Sequence, residues 1–62
     1  MRINNLHYNA RSGAFEASVD IQRDGRTFRY PCELVGPQSM DPATVAAGLA
    51  HRAMKMSDTA RV

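Results

Sequence analysis

From Phe15 to Leu34 apolar and polar residues alternate in two arms. Phe15, Ala17, Val19 and Ile21 share one parity, and Glu16, Ser18, Asp20 and Gln22 the other. The second arm sets Phe28, Tyr30, Cys32 and Leu34 against Thr27, Arg29, Pro31 and Glu33. A period of two is what a strand with one buried face requires. Asp24-Gly25 between the arms tolerates the positive φ angles of a type I′ turn, so the pattern predicts a hairpin with strands over 14–23 and 26–34. The turn sets the register. Arg23 faces Arg26, then Ile21 faces Phe28, Val19 Tyr30, Ala17 Cys32 and Phe15 Leu34. A one-residue slip would turn the whole apolar set outward.

Residues 2–10 read as a further strand. Leu6, Tyr8 and Ala10 share a parity, with Asn5, His7 and Asn9 on the other side. A tight turn at Ser12-Gly13 places Tyr8 opposite Ala17 and Leu6 opposite Val19. Ile3 breaks the parity, and a bulge near Asn4-Asn5 restores it. Pro31 has no N–H for a ladder, which assigns the third strand to an edge. The expected sheet is a three-stranded antiparallel meander.

Val35-Gly36-Pro37-Gln38 ends the strand pattern. Asp41 then serves as an N-cap, Pro42 suits the first helical position, and Met40 with Val45 has the spacing of a hydrophobic staple. The helix is expected over 42–57, with the tail after Asp58 frayed. Val45, Leu49, Ala53 and Met56 form its main apolar stripe, flanked by Ala46. The stripe covers the apolar face of the sheet, giving a two-layer α+β domain in the order βββα. The expected core is Leu6, Tyr8, Phe15, Val19, Ile21, Phe28, Tyr30, Leu34, Val45, Leu49 and Met56.

Composition narrows the picture. A length of 62 residues gives one small domain, 1–62, with a modest core. No apolar run approaches the ~20 residues of a membrane span, and no signal-peptide core opens the chain. One cysteine forms no internal disulfide, which suits a reducing cytoplasm. The net charge of +2 comes from scattered arginines and one lysine, without a basic block.

Candidate chemistry is sparse. Cys32 points into the core, His7 to the open sheet face and His51 to the far side of the helix, so they do not converge as metal ligands. A buried thiol without a histidine beside it is inert as a nucleophile. Glu16, Asp20 and Glu33 share an open face with no pocket to shift a pKa. The expectation is a non-enzymatic module without cofactor or metal. Ala43, Ala47, Ala50 and Met54 form a second apolar stripe, opposite the first, and a helix apolar on two sides has two partners. The leading reading is a cytoplasmic protein-interaction module whose partner is an unidentified protein or a second copy of itself. The alternative is a nucleic-acid-binding module that uses Asn5, His7, Asn9, Gln22, Thr27 and Arg29 on the open sheet face.

Overall fold

The computed structural model describes residues 1–60 and has the order βββα. Strand β1 is Arg2–Asn9, β2 is Ala14–Arg23, β3 is Arg26–Val35, and helix α1 is Pro42–Ala60. The strands form one antiparallel sheet in the order β1-β2-β3. The expected strand limits hold to within a residue. The helix runs on past the expected end at Ser57 to Ala60, and Arg61-Val62 lie outside the described residues.

The β2–β3 hairpin has the register its turn dictates, from Arg23↔Arg26 to Phe15↔Leu34 and on to Ala14↔Val35. Asp24 and Gly25 have φ of 52° and 74°, both in the left-handed region that a type I′ turn needs. Opposite residues in such a hairpin alternate between hydrogen-bonded and non-bonded pairs, starting from the bonded Arg23–Arg26 closure. That count makes Ser18↔Pro31 a non-bonded pair, and the N–H that proline lacks would have pointed to solvent.

The first hairpin departs from expectation. Its turn is not the two-residue Ser12-Gly13 but the wider segment 10–13. Asn9 organises it, because its Oδ1 accepts from Arg11 N at 3.0 Å and its carbonyl from Gly13 N at 2.9 Å. Tyr8 therefore faces Phe15 rather than Ala17. The predicted bulge is present between Asn4 and His7, with Asn5 at φ 56°. It brings Ile3 opposite Val19 and onto the core. Leu6 is turned out in the process and is 49% exposed instead of buried.

The core cluster is Ala17, Val19, Ile21, Cys32, Val45, Leu49 and Ala53, with Ile3, Phe15, Tyr30, Leu34 and Met40 packed around it. Three further expected members lie outside it. Tyr8 is only half-buried and packs edge-on against Phe15, the ring centroids 4.9 Å apart, at the margin of the core. Phe28 sits on the β3 edge, where cover comes from one side only, and is 41% exposed. Met56 is also exposed, and Ser57 is buried in its place. The buried helix positions Val45, Leu49, Ala53 and Ser57 step by four, a ridge that winds about 40° around the axis at each step. The stripe drawn from the sequence stayed on one side of that ridge.

The helix starts as its sequence dictates. Asp41 Oδ2 accepts from Ala43 N at 3.1 Å and Thr44 N at 3.2 Å, satisfying two of the first turn's unpaired donors. Arg23 Nη2 reaches Asp58 Oδ1 at 2.8 Å and ties the hairpin to the last helical turns. At the other end of the sheet Tyr8 donates its hydroxyl to the Gly36 carbonyl at 3.1 Å, while Gly36 N donates to the Gly13 carbonyl. The helix lies over β3 and β2, and makes no comparable contact with β1. No helix among the described residues is long and apolar enough to cross a membrane.

Candidate functional site

The two surfaces drawn from the sequence are the open face of the sheet and the back of the helix. On the open face the alternation of β2 and β3 sets three rows across the strands: His7↔Glu16↔Glu33, Asn4↔Ser18↔Pro31 and Arg2↔Asp20↔Arg29. Its side chains are bonded chiefly to one another. Arg29 donates to Asp20 through Nε at 2.9 Å and Nη2 at 3.4 Å, and Asn4 Nδ2 adds a third bond at 3.0 Å. The Arg29 guanidinium holds the Asp20 carboxyl below the usual carboxylate range, and Asp20 in turn raises Arg29.

A second knot surrounds Glu16. Its Oε1 lies 2.9 Å from His7 Nε2 and its Oε2 accepts from Asn9 Nδ2 at 3.3 Å. His7 Nδ1 lies 2.9 Å from the Asn5 carbonyl. These bonds, that to Asn5 foremost, raise the His7 pKa above its ordinary value. Of the six residues assigned to this face, His7, Asn9 and Arg29 are thus engaged with the sheet's own carboxylates. Gln22 and Thr27 face each other at the exposed hairpin end. Asn5 does not keep the face parity at all, because it is the left-handed residue of the bulge. Asn4, opposite Ser18, is instead the asparagine on the open face, and it reaches diagonally to Asp20. A parity count cannot anticipate that exchange, since the bulge residue removes one from the count.

The helix back differs from expectation in position. At about 100° per residue, Ala50 and Ala43 follow directly on the buried Ala53–Ser57 side, with Met54 and Ala47 just beyond. The second stripe therefore borders the buried face and extends it into one wide apolar arc; it does not lie opposite. Met54 is 37% exposed, Ala43 and Ala47 are exposed, and Ala50 is half-buried. Arg52 lies near Cys32 of β3, on the other side of the arc. The alanine flank consequently looks toward β1, whose inner side chains Ile3 and Tyr8 are only half-buried.

The sheet edges are blunted. On β3 Pro31 interrupts the outward row of donors, and on β1 the Asn5 bulge breaks the regular repeat. Cys32 is buried, and desolvation pushes its thiol pKa up against the opposing pull of Arg52. Among the described residues no group of three or more His, Cys, Asp and Glu side chains is placed to hold a metal ion. A concavity of about 690 Å³ at the sheet margin is open. Its lining includes His7, Glu16 and Glu33 of one sheet face and Cys32, Arg52 and Met56 of the other, so it forms no single water-excluding chamber. No known protein family, curated protein or solved structure matches this chain.

Proposed function

We propose that the chain is a small non-enzymatic interaction module that self-associates through the α1 flank of Ala43, Ala47, Ala50 and Met54. The observation that carries this reading is the off-centre seat of the helix. Because α1 covers β3 and β2 but not β1, its alanine flank and the inner side of β1 border one uncovered apolar strip. Short side chains let a second helix approach closely, and Met54 supplies a flexible anchor. A two-fold pairing would place the same strip against itself. With both edges blunted, association through this strip is favoured over strand addition.

The nucleic-acid reading needs side chains aimed at a ligand, whereas Arg29, His7 and Asn9 are aimed at Asp20 and Glu16. That favours the protein-interaction reading. A concentration series of two-dimensional amide spectra tests it. The amides of Ala43, Ala47, Ala50 and Met54 should shift as concentration rises, and Met54→Glu should abolish the shifts while the spectrum stays dispersed. Invariant spectra up to millimolar concentration would remove self-association. Shifts at Gln22, Thr27 and Arg29 on adding duplex DNA at low salt would instead support nucleic-acid binding.

A further inference from the structure

We propose that the bulge in β1 is a proton-gated clasp, closed by the imidazolium of His7 and released when His7 loses its Nδ1 proton. The argument starts from the two oxygens that flank the ring. His7 Nδ1 lies 2.9 Å from the Asn5 carbonyl oxygen, and Nε2 lies 2.9 Å from Glu16 Oε1. A carbonyl or carboxylate oxygen carries no proton and only accepts, so both ring nitrogens must donate at once. Only the doubly protonated, cationic ring can do so.

Neutral His7 has one N–H and one lone pair. The contact left without a proton sets a nitrogen lone pair against an oxygen lone pair at 2.9 Å, which is repulsive and cannot persist. The choice between the two contacts follows from charge. A bond to a carboxylate is stronger than one to a neutral carbonyl, so Nε2–H stays on Glu16 and Nδ1 gives up its proton to solvent. The contact to the Asn5 carbonyl then opens.

That carbonyl belongs to the residue at the bulge, where the strand ladder is interrupted. Asn5 is in the left-handed region at φ 56° and sits at the interruption of the β1–β2 register. The bond from His7, two residues on, spans the Asn5–Leu6 peptide and restrains it. Breaking it frees a backbone acceptor and the exposed Leu6 on an edge strand.

The surrounding charges favour the closed form. Glu33 continues the His7–Glu16 row on β3, while Arg2 and the Asp20–Arg29 pair stand two rows away. Helix α1, with His51, Arg52 and Lys55, packs on the opposite face of the sheet. The raised pKa of His7 agrees with this arrangement.

A pH titration followed by long-range ring-nitrogen spectra of His7 and by the Asn5 carbonyl carbon resonance tests the clasp. Both ring nitrogens should be protonated at low pH. Nδ1 alone should deprotonate, with a midpoint above the ordinary histidine value of about 6.5, and the Asn5 carbonyl should shift with the same midpoint. Glu16→Gln should lower that midpoint. His7→Gln should abolish the Asn5 transition while leaving a dispersed spectrum. A ring that deprotonates at Nε2, or an Asn5 carbonyl that stays fixed while His7 titrates, would overturn the proposal.

Discussion

Asn5 shows what one residue contributes to this sheet. Its φ of 56° costs an ordinary side chain about 1–2 kcal/mol, a cost that asparagine reduces and glycine removes. Asn5→Val should therefore be less stable than Asn5→Gly by about 1–2 kcal/mol, read from denaturant midpoints. Ser57 is the opposite case. Its hydroxyl is buried without a partner among the described residues, an uncompensated desolvation cost. Ser57→Ala should raise stability by about 1–2 kcal/mol, combining the removed desolvation cost with better helix propensity; a lower melting temperature would show that the hydroxyl has a partner. The bulge at Asn5 was legible in the sequence, whereas Ser57 was not. An unsatisfied hydroxyl is a fact of packing, and the bulge was inferred only because Ile3 broke the parity. Leu6, Phe28 and Met56 were misplaced for a related reason, since periodicity tells which side a residue faces and not whether anything covers it.

Among the elements, the hairpin closed by Asp24-Gly25 was the most readable, because turn chemistry and alternation specify the same register independently. The first hairpin was not, because its turn depends on the Asn9 side chain, which bonds both to its own turn and to Glu16. The helix start was legible in Asp41 and Pro42. Asp41→Ala should cost about 1 kcal/mol of stability, measured by thermal or denaturant unfolding, as it leaves the Ala43 and Thr44 donors without their cap. Gly48 lies where the helix packs against Leu34 of β3. A Cβ there would come within 2.8 Å of Leu34 Cδ2, although Leu34 is a side chain able to give way. Gly48→Ala should thus fail to deliver the ~1 kcal/mol that replacing a helical glycine ordinarily gains. The α1 flank was found from the sequence, but its place beside the buried face was not. A helical wheel carries no information on how the ridge of contacts winds across a sheet.

In the whole molecule, two charged knots on one face link folding to pH with opposite signs. The raised pKa of His7 means that its contribution is complete below about 6.5 and is lost as pH rises through the folded value. Asp20 has a lowered pKa, so its contribution is complete above the ordinary 3.8 and is lost as pH falls through the depressed value. Both are present together only in mildly acidic solution, where the melting temperature should be highest. His7→Gln should flatten the decline on the alkaline side, and Asp20→Asn the one on the acid side. The small core makes the covering of its open strip matter. Among the described residues the largest fully buried side chains are Leu49, Val19, Val45 and Ser57, and a domain this short retains little stability to spare. Sedimentation equilibrium of the native chain and of Met54→Glu, over a concentration range from micromolar to millimolar, tests self-association most directly. The account predicts a native mass that rises toward twice the 6.9 kDa of one chain, and a variant that stays folded at the monomer mass. A native chain that remains at the monomer mass throughout would contradict it.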